Sequence, residues 1–257
     1  MTAADYAKLL RTADLKKQTI APLREQGVTD LDLAYAIQNI NTEHRVNAGA
    51  RIVGKKIGLT SLAVQQQLGV DQPDYGVLFH DMEILNGLSV AMSEMMQPKA
   101  EAEIAFILGD DLDTDQLTIL DLIHAIDFAL PAIEIVGSRI ENWNIKICDT
   151  VADNASASHY VLGHRPRTLD EFDMVGCSMQ LHKNGTLVSE GSGAACLGSP
   201  LNATLWLANK MAALGQPLQA GELILSGAIG PMTALNTGDN IIAQIEGLGS
   251  VSVSVTE

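Results

Sequence analysis

The sequence predicts an α+β fold, in which a helical N-terminal subdomain over residues 1–50 leads into a β-rich domain over residues 51–257. Three observations predict it. Apolar residues recur at helical spacing through residues 4–18 and again from Thr29 towards Gly49. From about residue 87 the chain is dominated by short apolar runs of strand length, and Asn184-Gly185 between two of them is a strong hairpin signal. The strand–helix alternation of a doubly wound sheet is missing, so the strands are expected to pair mainly antiparallel.

The first helix is expected over residues 4–18. The second starts at Thr29-Asp-Leu-Asp32, a capping-box-like arrangement, and runs through Ala34, Ile37 and Ile40 to a stop near Gly49. Residues 51–60 read as a strand, after which Thr60 or Ser61 can cap a short helix ending at Leu68-Gly69. Gln72-Pro-Asp-Tyr-Gly76 reads as a loop or turn. Strands follow at 101–108, 130–136, 174–182, 186–190, 222–226, 240–246 and 249–255. Helices are expected at 117–128 and 201–214, the latter entered through Ser199-Pro200 and closed at Gly215.

Composition narrows the function. With 257 residues, 47% of them hydrophobic, the chain can bury a large core. A net charge of -15 disfavours nucleic acid and anionic membranes as partners, because both require a positive footprint. An anionic substrate would depend on the few clustered cations, Lys55, Lys56, Arg139 and Lys146, and on any bound metal. Cys148, Cys177 and Cys196 are an odd set without a CxxC pair, which argues against a disulfide framework and a thiolate zinc site. They read as small buried residues in a reducing cytoplasm. The N-terminus lacks the continuous apolar core of a signal peptide. Residues 123–137, the most apolar stretch, are interrupted by Asp127 and Glu134 and are too short to span a bilayer.

Several motifs start and fail. Gly49-Ala-Arg-Ile-Val-Gly-Lys-Lys56 approaches a phosphate loop but places Lys56 where a hydroxyl must reach the metal. Gly191-Ser-Gly-Ala-Ala-Cys196 lacks the third glycine of a dinucleotide fingerprint. Asp111-Leu-Asp-Thr-Asp115 opens like a calcium loop, yet Gln116 and Leu122 stand where Gly and Glu are needed, which leaves a solvated acidic loop. No Gly-x-Ser-x-Gly elbow or His-Glu-x-x-His spacing occurs.

Three acids remain. Glu101 and Glu103 sit in Pro98-Lys-Ala-Glu-Ala-Glu-Ile-Ala-Phe-Ile-Leu108, and Glu134 in Pro131-Ala-Ile-Glu-Ile-Val136, both apolar enough for buried strands. Alternation puts Glu101 and Glu103 on one face, where two like charges repel and resist desolvation. Spacing alone leaves two readings open: a wet strand face, or a site for a hard divalent cation such as Mg2+ or Mn2+.

Beyond these acids, five ordered segments resemble one family. They are Gly-Lys-Lys-Ile-Gly-Leu-Thr-Ser (54–61), Gln-Gln-Gln-Leu-Gly-Val-Asp-Gln-Pro-Asp-Tyr-Gly (65–76), Pro-Lys-Ala-Glu-Ala-Glu (98–103), Pro-Ala-Ile-Glu-Ile-Val-Gly-Ser-Arg (131–139) and Asp-Thr-Val-Ala-Asp-Asn-Ala-Ser (149–156). The set closely resembles the 2-keto-4-pentenoate (2-hydroxypenta-2,4-dienoate) hydratases of the fumarylacetoacetate hydrolase superfamily. The resemblance implies a fumarylacetoacetase-like β-roll or distorted barrel with an N-terminal helical cap, residues 51–257 forming the catalytic domain, and a cytoplasmic homo-oligomer. It implies Mg2+ or Mn2+ held by Glu101, Glu103 and Glu134, catalytic roles for Lys56 and Asp74, and substrate contacts from Ser156 and Ser226. Ser226-Gly-Ala-Ile229 replaces the Thr-Gly-Thr-Pro of the wider superfamily, leaving Ser226 the only hydroxyl in that segment.

The implied reaction adds water to 2-hydroxypenta-2,4-dienoate, giving 4-hydroxy-2-oxopentanoate in the meta-cleavage breakdown of aromatic compounds. A 2-oxo acid can chelate such a metal, which stabilises the developing enolate. A proton must reach C5 and a base must activate water, with Lys56 and Asp74 the candidates for both tasks. The nearest alternative is a 4-oxalocrotonate decarboxylase, whose segments include ones like Asn144-Ile-Lys-Ile-Cys-Asp149, whereas residues 194–203 and the Ser-Gly-Ala-Ile-Gly-Pro-Met loop look more hydratase-like. A further alternative is a non-catalytic partner subunit of that decarboxylase. Association with a sister decarboxylase or a downstream aldolase belongs to the same expectation.

Overall fold

The structure, a computed structural model, describes residues 1–61, 65–66 and 70–257. Most of the short helix expected after Thr60 lies outside the described residues. Helix α1 (Ala3–Lys16) opens with a capping box, in which the Thr2 side chain accepts from Asp5 N while Asp5 accepts from Thr2 N, and it ends at left-handed Lys17. Helix α2 (Leu31–Asn47) is capped by Asp30, whose Oδ1 accepts from Leu33 N at 2.8 Å. Their apolar faces, including Tyr6, Leu10, Ala34 and Ile37, pack with Ile140 and Val151 as a separate cluster. Among the described residues, no helix is long and apolar enough to cross a membrane.

The rest of the chain builds two sheets. One has the order β2-β1-β9-β4-β5-β6, with β10 (Thr233–Ala234) also pairing with β4. Its strands are β1 (Ile52–Gly58), β2 (Asp74–Phe79), β4 (Lys99–Leu108), β5 (Ile126–Val136), β6 (Ala157–Leu162) and β9 (Leu223–Ala228). The other has the order β3-β12-β11-β7-β8, from β3 (Ser89–Ala91), β7 (Ser178–Lys183), β8 (Thr186–Ser192), β11 (Asn240–Ile245) and β12 (Gly249–Thr256). Pairing is antiparallel except for β1 with β9 and β12 with β3. Among the described residues the chain also forms helices α3 (Ile119–Ala125), α4 (Ile147–Ala152) and α5 (Pro200–Ala213), and the fold is mixed α+β with N-terminal helices, as expected.

The long central strand β4 sorts its residues by parity. Ala100, Ala102, Ile104, Phe106 and Leu108 enter the main core, shared with Leu181, Ile241, Val251 and Val253 of the second sheet and Leu207 of α5. The odd positions face the other way, where Ala105 packs with Val77, Ala132, Leu223 and Leu225.

Some boundaries differ from expectation. Asp74-Tyr-Gly76, read as a turn because it follows proline, begins β2, and all six residues of that strand are buried. The helix expected over 117–128 is cut to Ile119–Ala125, because residues from 126 join the antiparallel pairing of β4 with β5. The strand expected from 174 starts at Ser178, and β3, β6 and α4 were not anticipated.

Phe106 is fully buried at the centre of β4. Phe106→Ala should therefore cost about 3–5 kcal/mol of unfolding free energy in urea denaturation, from lost transfer energy plus the cavity left behind. Exposed Leu187→Ala should change it by less than about 0.5 kcal/mol. Equal effects would show that this face of β4 is not the core.

Candidate active site

Antiparallel register sets Glu101 of β4 directly opposite Glu134 of β5, and Glu103 opposite Ala132 on β5 and Ala228 on β9. All three carboxyls are buried on the same face, with one oxygen from each lying within 4.8 Å of the others. Like charges directly opposite one another on a sheet are destabilising, so this register demands compensation.

Part of it comes from Lys56, on β1, at 3% exposure. Its Nζ lies 3.1 Å from Glu134 Oε2 and donates to the Ala155 carbonyl at 3.1 Å. Asp74 is equally buried, at 2%, and is paired in register with Gly58, two positions from Lys56 on the same strand. Gly58 leaves room for both side chains: a Cβ there would stand 2.2 Å from Asp74 Oδ1 and 3.4 Å from Lys56 Nζ. Neither side chain reaches solvent, although the turn expected at Gln72–Gly76 would have exposed Asp74.

Ser226 lies where the β4–β9 register shifts, between the pairs Glu103/Ala228 and Ala105/Leu225. Such a bulge re-aims backbone groups. Here Gly227, at φ +109°, turns its N–H onto Glu103 Oε2 at 2.8 Å. A Cβ on Gly227 would collide with the Thr60 side chain at 2.4 Å. The Ser226 hydroxyl is fully buried and has no hydrogen-bond partner among the described residues. Ser156 Oγ is buried too, 3.2 Å from Thr150 Oγ1, and Thr150 in turn approaches Asp74. Glu101, Glu103, Glu134, Lys56 and Asp74 thus form one buried cluster, with Ser226 in the β9 bulge next to Gly227 and Ser156 following the Ala155 carbonyl that meets Lys56. Gly58, Gly227, Thr150 and the Ala155 carbonyl were missed; each lies in or beside a motif already noted, but the glycines and Ala155 act through space or backbone, and Thr150 is a single hydroxyl beside Ser156.

Other expected contributors are committed elsewhere. Arg139 holds Asp153 through Nε at 2.5 Å, Lys55 pairs with Glu222 at 3.0 Å, and Lys146 is exposed. Asp149 takes the Arg24 guanidinium and its backbone N–H, tying the N-terminal section to α4. An open cavity of about 940 Å3 beside α1 and α2 is lined by none of the seven residues.

The electrostatics fit a cation. Burial, then the Glu134 charge, pushes Glu101 up to about 7, and burial with both neighbouring glutamates drives Glu103 well above the usual carboxylate range. Glu134 is also raised by burial, although Lys56 opposes the shift. Burial raises Asp74 to about 6 against the pull of Lys56. Burial would lower the Lys56 ammonium, but Glu134, Asp74, Glu101 and Glu103 together hold it above its ordinary value. Glu103 Oε1 and Glu134 Oε1 are buried without hydrogen-bond partners among the described residues. Three hard oxygen donors with unmet electrostatic demand suit Mg2+ or Mn2+.

Comparison with known proteins gives the chain's relatives. The chain is 55% identical to 2-keto-4-pentenoate hydratase 1 of Dechloromonas aromatica over 96% of its own length and 94% of that protein. It is 55% identical to the TodF product hydratase of Pseudomonas putida F1, covering 96% and 93% of the two chains. Among solved structures, 4-oxalocrotonate decarboxylase from Pseudomonas putida G7, complexed with magnesium and adipate, superposes with a TM-score of 0.93 at 35% identity, covering 98% of this chain and 97% of that one. The profile of the fumarylacetoacetate (FAA) hydrolase C-terminal family matches residues 52–256, and with it the chain belongs to the FAA hydrolase family.

Proposed function

We propose that this protein is a hydro-lyase of meta-cleavage catabolism that adds water to 2-hydroxypenta-2,4-dienoate, the enol of 2-keto-4-pentenoate, to form 4-hydroxy-2-oxopentanoate. Identity of 51–55% to 2-keto-4-pentenoate hydratases across nearly the whole chain carries this reading. The decarboxylase alternative rests on a structure only 35% identical. The non-catalytic alternative conflicts with a complete constellation of glutamates, lysine and aspartate.

Glu101, Glu103 and Glu134 would hold Mg2+ or Mn2+. When bound, that ion supplies a Lewis acid for the substrate's carboxylate and 2-oxo oxygens and offsets charge on the developing enolate. The chain's own residues handle protons. Conversion of the dienol to the conjugated enone places a proton on C5 as the 2-hydroxyl gives one up; water then adds across C3 and C4, its oxygen bonding C4 and a proton ending on C3. Lys56 offers N–H donors, while Asp74 Oδ1 is buried without a hydrogen-bond partner among the described residues. This division suits Lys56 as the donor to C5 and Asp74 as the acceptor from water. Ser156 and Ser226 contribute hydroxyls for substrate oxygens, Ser226 the stronger candidate because its hydroxyl is unpaired. We read the protein further as a cytoplasmic homo-oligomer with residues 51–257 as its catalytic domain.

The reading is tested by giving the purified protein 2-hydroxypenta-2,4-dienoate and 2-oxohex-3-enedioate separately, with Mg2+ or Mn2+ and with a chelator. The expected product is 4-hydroxy-2-oxopentanoate from the first, lost on chelation. Release of CO2 from the second, with no hydration of the first, would overturn it. Lys56→Met and Asp74→Asn should each lower kcat by about a hundredfold or more.

Glu103→Gln should weaken Mg2+ binding by about a hundredfold in calorimetry. Its effect on the metal-free protein has a defined sign. The folded-state pKa of Glu101 stands at about 7 against an ordinary 4.5, and Glu103 and Glu134 are raised in the same direction. Folding therefore takes up protons, and stability declines as pH rises from about 4.5 through about 7. Urea denaturation between pH 5 and 8 should show that decline in the wild type and a shallower one in Glu103→Gln; a wild-type protein that gains stability over this range would contradict the assignment.

A further inference from the structure

Three consecutive non-glycine residues, Asn154, Ala155 and Ser156, hold φ values of 56°, 49° and 58°. Asparagine tolerates that region, whereas alanine and serine seldom adopt it, and runs of this kind persist only where surrounding contacts impose them. The contacts are identifiable on each side. Before the segment, Asp153 accepts from Arg139 N at 2.9 Å and Nε at 2.5 Å, and its carbonyl accepts from the same guanidinium at 2.9 Å. After it, the Ser156 carbonyl accepts from Gly137 N at 2.8 Å. In the middle, Asn154 docks on the free edge of β2: its Oδ1 accepts from Val77 N at 2.8 Å and its Nδ2 donates to Val77 O at 2.9 Å. Gly76 makes room, since a Cβ there would lie 2.3 Å from Asn154 O.

The product of this arrangement is the Ala155 carbonyl, presented to Lys56 Nζ at 3.1 Å. The ammonium is thereby held between a neutral acceptor and Glu134 Oε2, also at 3.1 Å. Without the carbonyl the lysine would be free to close onto the buried carboxylates.

We propose that the left-handed segment 154–156 is a positioning element for Lys56 and that Asn154, through its paired bonds to Val77, is the positioning residue that anchors it. The catalytic consequence rests on the proton-donor reading of Lys56; the structural one does not. Two measurements separate them. In metal-free protein, lysine-selective 1H–15N NMR should show a slowly exchanging Lys56 ammonium signal, identified by its loss in Lys56→Met. In Asn154→Gly, which adopts the same backbone region without strain but lacks the amide, that signal should be lost or exchange at least about tenfold faster. In kinetics, Asn154→Gly should lose about tenfold in kcat, with KM and Mg2+ affinity changed less than about threefold. Asn142→Gly, at an exposed asparagine with φ 55°, is the control and should change neither readout. Where Asn154→Gly unfolds, Asn154→Asp supplies the same test, because a carboxylate cannot donate to the Val77 carbonyl. An unchanged ammonium signal in the folded variant would overturn the positioning role. A changed signal with kcat intact would retain it and remove the catalytic reading of Lys56.

Discussion

The alignment of Glu101 on β4 with Glu134 on β5, with Glu103 two residues further along the same face, is the constraint around which the rest of the site is arranged. Register in a sheet is discrete: a slip of one residue would turn the glutamates into the main core and Phe106 out of it. Packing of Phe106 and Ile104 against the second sheet therefore holds the acids in place, at the expense of setting like charges in apolar surroundings. The stability of one face sustains the instability of the other, and that instability gives the site its demand for a cation.

Lys56 answers only part of that demand. Lys56, with Lys99 acting on Glu101 from over the Trp143 ring, leaves three glutamates and Asp74 short of positive charge, and the other nearby cations are engaged elsewhere. Arg139 is held by Asp153, Arg24 by Asp149 and Lys55 by Glu222. These pairs have a second use. Arg24 joins the N-terminal section to α4, and Arg139 braces the strained turn that faces Lys56.

Much of this could be read from the chain because it follows simple periods. Alternation placed Glu101 and Glu103 together, and the strand-length apolar runs gave the β-rich body and its hairpin at Asn184-Gly185. What escaped depends on tertiary context. Pro73-Asp74 carries turn chemistry, yet pairing with β1 makes Asp74 the first residue of a buried strand. The helix after Thr118 has apolar residues enough to continue, but the β4–β5 ladder claims the chain from Ile126. Ala155 gives no sign of its left-handed backbone, because alanine has no preference for it and the contacts that impose it lie about 16 to 80 positions away in sequence. Arg139 was noted as a cation for substrate, but only the fold shows that Asp153 takes it.

The commitment of those arginines also bears on why a divalent ion, rather than a further side chain, would complete the site. An arginine reaching the glutamates could satisfy their charge and stabilise the fold, but its fork would fill the space and its bonds to the carboxylates would be permanent. A small ion bound through three oxygens keeps coordination positions open for a chelating 2-oxo acid. In a chain with 16 lysines and arginines against 31 acids, internal neutralisation of this cluster would have needed only one more buried cation on a neighbouring strand. β9, which lies between β1 and β4, supplies Leu225, Ser226 and Gly227 there instead, contributing apolar packing, a bulge and a backbone N–H aimed at Glu103. The strand that could have quenched the site electrostatically thus orients one of its acids and leaves the charge to be met from solution.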